Sequence, residues 1–121
     1  MEKLEPHEVE RYIKNQKPEY QPAIRRAMEI VSRVLAEYGE LGAHPVISYQ
    51  ILGWRFRGKF LLHISASKDH ISFHGAHALE RLEASHPQWF KLKGSTLWWQ
   101  PEPELPEAVI RDVIERRIAD L

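Results

Sequence analysis

The chain has 121 residues, the size of one domain, and its 43% hydrophobic and 28% charged residues are ordinary for a globular protein. Lys plus Arg (17) equals Asp plus Glu (17), which argues against partners drawn by a long-range field, such as nucleic acid or a membrane. The lack of cysteine excludes disulfides, thiolate metal sites and cysteine nucleophiles. Because no apolar leader or membrane-length segment is present, we expect a cytoplasmic protein.

The first third of the chain predicts two helices. Apolar residues at three- and four-residue spacing after Pro6 predict a short helix that ends before Pro18. A longer apolar stripe runs from Tyr20 to Tyr38 and predicts a second helix, with Gly39 placed to cap it.

From Pro45 the apolar period changes to two, which is typical of strands. VISYQ, WRFRG, KFLLHISA and HISFHG alternate, with tight turns expected at 57–59 and 67–69. A short helix from Ala76 to Glu83, a strand in GSTLWWQ and a closing helix after PEPELP follow. The order α-α-β-β-β-β-α-β-α predicts a single α+β domain, in which helices cover one face of an antiparallel sheet of about five strands.

Strand alternation predicts which side chains share the uncovered side of this sheet, which we call the open face. In KFLLHISA, Phe60 and Ile64 point toward the helices and His63 points away. In HISFHG, His70 and His74 point the same way as His63.

Two arginines and a tryptophan extend the open face. Arg55 and Arg57 alternate with aromatic residues, which places them beside the histidines. Adjacent Trp98 and Trp99 must point to opposite faces, so one belongs to the core and the other is exposed or covered by a loop. The candidate binding residues of the open face are therefore Arg55, Arg57, His63, His70, His74 and Trp98.

One hypothesis is that the histidines of the open face bind a metal ion. His70 and His74 are four residues apart, roughly 13 Å along a strand, which is too far to share one ion. His63 can pair across the strands with either, but two imidazoles make an incomplete zinc site. Solvated histidines, or histidines bonded to Ser65 and Ser72, are the simpler interpretation.

The sequence argues against an enzyme. It contains no Gly-rich phosphate loop, nucleophile elbow or zincin motif. HISASKDHISFH offers histidines near serines, as in a serine nucleophile with a histidine base. No carboxylate that could orient such a histidine is identifiable, however.

Four short motifs, in order along the chain, resemble the YdhG-like domain, a small bacterial family catalogued largely as a domain of unknown function. They are Ser48-Tyr49, Gly58-Lys59, Lys68-x-His70-Ile71 and Lys93-Gly94-Ser95. The resemblance implies a frataxin-like arrangement of helices packed on one face of an antiparallel sheet. One departure is Ile51-Leu52, where family members usually carry Met-Pro.

The resemblance also implies a role in iron handling, because one branch of the family is thought to act as a frataxin-like iron chaperone. Frataxins use an acidic ridge on the first helix, and iron prefers such oxygen ligands. Glu5 and Glu8 share one side of the predicted first helix, although interleaved cations are equally typical of a solvated face. We expect a non-enzymatic binding protein, with iron as its cargo. The alternative is a metal-independent module that binds a protein, a peptide or an anionic ligand through the open face.

Overall fold

The computed structural model describes residues 6–75 and 79–121, which form four helices and six strands in the order α-α-β-β-β-β-α-β-β-α. The helices are α1 (Pro6–Lys14), α2 (Gln21–Glu37), α3 (Leu79–Ser85) and α4 (Glu107–Asp120). The strands are β1 (Val46–Ser48), β2 (Ile51–Phe56), β3 (Lys59–Ala66), β4 (Ile71–His74), β5 (Lys91–Lys93) and β6 (Thr96–Trp99). Within these described ranges, no helix has the length and apolar character needed to cross a membrane.

The strands form one antiparallel sheet in the order β1-β2-β3-β4-β6-β5. This confirms the predicted α+β fold, with six strands rather than about five. The additional strand is β5, which pairs with β6 across a turn where Gly94 has φ +59°. A three-residue Lys-Leu-Lys strand has a single apolar position, so its alternation is too short to be recognised in the sequence.

The core lies between the helices and one face of the sheet, and it contains the apolar stripes that the sequence predicted. Burial of each large apolar side chain contributes about 1.5–3 kcal/mol, so this layer holds helices and sheet together. From the helices it includes Ile13, Ile24, Ile30, Val31, Val34, Leu35, Val109, Ile110, Val113 and Ile114. From the sheet it includes Leu52, Trp54, Leu62, Ile64, Ile71, Phe73, Leu97 and Trp99.

A β-bulge interrupts the pairing of β2 with β3. Trp54 pairs with Leu62 and Arg55 pairs with Phe60, which leaves Leu61 as an extra residue. Leu61 and Leu62 are both buried in the core, and Phe60 turns to the open face beside Arg55. The prediction that Phe60 faces the helices was therefore wrong, because strict alternation fails wherever one strand gains a residue.

Arg117 of α4 fixes this bulge from the helical side. Its side chain is only 5% exposed. Its Nε donates to the carbonyl of Leu61 at 2.7 Å, and Nη2 donates to the carbonyl of Phe60 at 3.3 Å. Nη1 donates to Asp120 at 2.9 Å, which pairs the buried charge. The guanidinium thus satisfies the carbonyls of the bulge and ties α4 to the strand that carries Phe60.

Candidate binding face

The strand register places the three candidate histidines on one side of the sheet, as the sequence predicted. His63 and His74 are direct cross-strand partners on β3 and β4. His70 precedes β4 and stacks on Trp98, whose neighbour Trp99 is buried in the core. By strand register, the open face observed in the structure consists of Val46, Ser48, Ile51, Gly53, Arg55, Phe60, His63, Ser65, Ser72, His74, Lys91, Lys93, Thr96 and Trp98, with His70 beside them.

His63 and His74 form the centre of the open face. His74 Nε2 and Ser65 Oγ share a hydrogen bond of 2.7 Å, while His63 Nε2 is buried without a hydrogen-bond partner. Burial, and then the charge of Arg55, lowers the pKa of His63. Burial, and then the neighbouring histidines, lowers the pKa of His74. Both rings are therefore uncharged at neutral pH and act as hydrogen-bonding groups rather than as cations.

A second feature of the open face is a stack of His70 on Trp98. The ring centres are 3.6 Å apart and the ring planes differ by 13°. His70 Nε2 and Ser67 Oγ are 3.0 Å apart, and Trp98 Nε1 donates to Thr96 Oγ1 at 3.1 Å. Burial lowers the pKa of His70, and Lys93 Nζ lies 5.8 Å from the centre of the Trp98 ring. The stack is a rigid planar unit beside a cation.

Four side chains form what we call the aromatic corner: Tyr49, Arg55, Phe60 and His63. The Arg55 guanidinium lies 4.0 Å from the centre of the Phe60 ring, and its Nη1 donates to the carbonyl of Gly58 at 3.2 Å. The Phe60 and His63 ring centres are 5.0 Å apart, and Tyr49 lies 6.4 Å from Phe60 and 6.1 Å from His63. Tyr49 is 83% exposed, so a large aromatic ring stands in solvent at the edge of the open face.

Tyr49 was not among the predicted binding residues, although it belongs to the Ser-Tyr motif. It sits with Gln50 in the two-residue turn between β1 and β2, where Ser48 pairs with Ile51. Both turn residues have positive φ, +53° and +66°. Turns of this kind favour Asn and Gly, and left-handed backbone costs other residues roughly 1–2 kcal/mol each. Such strain is concentrated at functional sites, which makes an exposed Tyr in this turn a candidate binding residue.

Arg57 does not lie on the open face, which corrects its predicted position. Its backbone N–H donates to Glu40 Oε1 at 3.1 Å, and Nη2 donates to the carbonyl of Tyr38 at 3.4 Å. Its guanidinium lies 4.7 Å from the centre of the ring of Phe56, a core residue. The side chain therefore packs beside the C-terminal end of α2. Strand alternation does not apply to Arg57 because it occupies the hairpin turn with φ +51°.

Of the two predicted metal ligands, Glu5 and Glu8, the structure describes one. Across residues 6–75 and 79–121, no three His, Asp or Glu side chains are placed to hold a metal ion. Glu8 is an exposed residue of α1, and Glu5 lies outside the described residues. The Glu5–Glu8 iron site therefore stays a prediction.

The charges of the sheet are one-sided. None of the six strands contains Asp or Glu, and Arg55, Lys91 and Lys93 point from them to the open face. Within the part of the chain that the structure describes, none of these three cations pairs with a carboxylate. The equal numbers of cations and carboxylates in the whole chain thus conceal a positive open face.

The helices, in contrast, pair their carboxylates with their own arginines. Arg111 of α4 makes a two-bond contact with Glu37 of α2, at 2.7 and 2.6 Å. The Arg111 guanidinium lowers the pKa of Glu37. Arg33 of α2 donates to Glu107 of α4 at 2.9 Å. These pairs neutralise charge on the helical side of the protein.

Together these features define an α+β protein with an antiparallel sheet, helices on one face, and a cationic and aromatic open face. Its fold is that of YdhG, a protein of the DUF1801 family from Bacillus subtilis. The crystal structure of YdhG matches with a TM-score of 0.72 over 96% of this chain and 92% of that chain, at 15% sequence identity. This likeness supports, at the level of the fold, the YdhG-like resemblance drawn from the motifs. No family model and no curated protein match the sequence.

Proposed function

We propose that the protein is a non-enzymatic binding protein whose open face takes an anionic partner without a metal ion. The observation that carries this proposal is the placement of three cations, Arg55, Lys91 and Lys93, around uncharged aromatic and imidazole rings. None of the three pairs with a carboxylate among the described residues, and the strands of the sheet contain no carboxylate. An anion on this face meets no like charge from the strands, and complementary potentials of this kind steer association.

The geometry of Arg55 supports anion binding in particular. Its guanidinium is held by the Phe60 ring and the Gly58 carbonyl, so little side-chain freedom is lost when it binds an oxyanion. His63 and His74 add hydrogen-bonding nitrogens between the cations of the two sides. The face therefore offers charge at its flanks and neutral polar groups at its centre.

The contact between Ser65 and His74 does not support catalysis by itself. A serine nucleophile needs a base that is oriented by a third group, usually a carboxylate. His74 has Ser65 as its hydrogen-bond partner, and the strands around it carry no Asp or Glu. We therefore keep the non-enzymatic interpretation.

Retention on a sulfated polysaccharide column tests the proposal, because elution then requires a salt concentration that reflects the number of cations engaged. Arg55→Glu, and Lys91→Glu with Lys93→Glu, are expected to elute at clearly lower salt than the wild type. Lys14→Glu, the same charge change as Arg55→Glu but at the exposed end of α1, is the matched control for Arg55→Glu and is expected to shift elution much less. Equal shifts for all variants would contradict a site on the open face.

Iron binding is tested separately, because its predicted ligands, Glu5 and Glu8, are not among the residues that define the open face. Anaerobic Fe(II) titration followed by calorimetry would show heat that is lost in Glu5→Ala/Glu8→Ala if the chaperone prediction holds. The same titration of Arg55→Glu is the control, since that variant changes the open face and leaves the carboxylates in place.

A further inference from the structure

We infer that the anionic partner is single-stranded nucleic acid, with its bases against the planar groups of the open face and its phosphates on the flanking cations. This inference rests on the proposed anion-binding function and names its ligand class. It depends on the presence of cations and exposed planar side chains on the same face. A site for a simple anion would need only the cations.

The planar groups of the open face occur as two stacked pairs and one exposed ring. Arg55 covers Phe60 at 4.0 Å, and His70 covers Trp98 at 3.6 Å. Tyr49 stands 83% exposed at the aromatic corner. Unpaired bases stack on aromatic rings and on guanidinium planes, and this stacking tolerates any sequence.

The spacing of these groups fits several nucleotides rather than one. Phe60 lies on β3 and Trp98 on β6, with β4 between them, so the two stacked pairs are about 10 Å apart across the strands. The register sets Trp98 level with Ser65, which adds a separation of about 13 Å along the strands. Arg55 on β2 and the lysines of β5 are separated by four strand spacings, about 19 Å. A stacked strand carries one phosphate about every 3.4 Å, so several phosphates can lie between these flanks.

Hydrogen-bonding groups line the path between the two stacked pairs. The side chains of His63, Ser65, His74 and Thr96 make the surface between the two stacked pairs polar rather than apolar. A duplex hides its base faces and would meet only the cations, so stacking favours single strands over double strands. The expectation against nucleic acid came from the charge balance of the whole chain, and that balance is set on the helical side by arginine–carboxylate pairs.

Fluorescence anisotropy tests the inference with a labelled oligouridylate, its deoxy counterpart, an abasic oligonucleotide of the same length and a duplex. Both single strands are expected to bind more tightly than the abasic strand and the duplex. Engagement of three cations predicts that log K falls with log salt with a slope of about −2. Tighter binding of the ribo or the deoxy strand would identify the natural ligand, because the 2′-hydroxyl is the difference between them.

Variants distinguish base stacking from charge alone. Tyr49→Ala is expected to weaken binding of the base-containing strands about five- to a hundredfold and to leave binding of the abasic strand unchanged. Leu41→Ala, which removes another exposed apolar side chain (82% exposed) outside the sheet, is the matched control and is expected to change neither. Chemical denaturation of both variants verifies that they are folded.

The outcomes separate this inference from the proposed function. If the abasic strand binds as tightly as the base-containing strands, and Arg55→Glu weakens both, the face binds anions without reading bases, and the inference fails while the proposed function stands. An acidic polypeptide would then be the partner to test. If no strand binds and retention on the polysaccharide column does not depend on Arg55, both fail.

Discussion

The imidazole of His63 occupies the space that a side chain at Gly53 would need. A methyl group at Gly53 would lie 2.8 Å from His63 Cδ2, 3.0 Å from its Nε2 and 3.2 Å from Ser48 Cβ. The missing side chain lets the ring lie against β2, which buries Nε2 and brings the ring to 5.0 Å from Phe60. The aromatic corner therefore depends on a glycine that contributes no group of its own.

Replacing this glycine should displace the histidine. We expect Gly53→Ala to lower the free energy of unfolding by about 1–3 kcal/mol, since the added methyl overpacks the sheet. Urea denaturation measures the change. In a double-mutant cycle, Gly53→Ala should cost less when His63 is already Ala, because the closest clash is then gone. Additive effects would mean that His63 is not the group displaced.

Removing the guanidinium of Arg117 should destabilise the protein more than removing that of its neighbour. Arg117→Met leaves the carbonyls of Phe60 and Leu61 without this donor, at about 1–3 kcal/mol for each carbonyl that stays buried and unpaired. Arg116→Met is the control, because Arg116 pairs with Asp112 on the same helix at the surface, where such pairs contribute less than about 1 kcal/mol. Similar losses in urea denaturation would contradict a role for Arg117 at the bulge.

The turn at residues 49–50 should lower the stability of the fold while presenting Tyr49 for ligand binding. Gln50→Gly is expected to raise the free energy of unfolding by about 1 kcal/mol, because glycine adopts positive φ without the penalty of a side chain. Tyr49→Asn should also relieve strain, but it removes the exposed ring and should weaken ligand binding. Thermal unfolding and the anisotropy titration measure the two effects. A Tyr49→Asn variant that bound ligand like the wild type would exclude Tyr49 from the site.

Much of the fold follows from local patterns in the sequence. Gly39 has φ +91° and ends α2, with the Glu40 N–H donating to the Leu35 carbonyl at 2.9 Å, as its position after the apolar stripe predicted. The turn at Arg57 and Gly58 and the shared face of the histidines were also predicted correctly. These features depend on residues close in the chain, whose conformations local chemistry sets.

The positions that the sequence could not predict depend on distant residues. Phe60 lies on the open face rather than toward the helices because of the bulge in β3. Arg117 of α4 donates hydrogen bonds to the carbonyls of that bulge. Arg57 leaves the open face because Tyr38 and Glu40 accept its hydrogen bonds. The numbers of Lys, Arg, Asp and Glu in the whole chain also do not reveal that positive charge is concentrated on the open face. The errors at Phe60 and Arg57 arise because a bulge and a hairpin turn, both bonded to residues distant in the chain, interrupt strand alternation.

The histidines of the open face should make the stability depend on pH below their ordinary pKa. Burial lowers the pKa of His63 and His74 from the usual value of 6.5. Well above pH 6.5 these rings are neutral in both the folded and the unfolded chain, and stability is at its full value. As pH falls below 6.5, the unfolded chain takes up protons that the folded chain resists, so the free energy of unfolding decreases until the folded pKa values are passed.

Replacing both rings should therefore flatten this dependence. His63→Gln/His74→Gln is expected to lose less stability than the wild type when urea denaturation is compared just above and just below pH 6.5, whatever its stability at the higher pH. Glu10 and Glu37 do not obscure the comparison, because their arginine partners lower the pKa of each carboxyl from the usual value of 4.5. An unchanged slope in the double variant would show that the two rings accept protons as readily in the folded sheet as in the unfolded chain, and that burial on the open face does not keep them neutral.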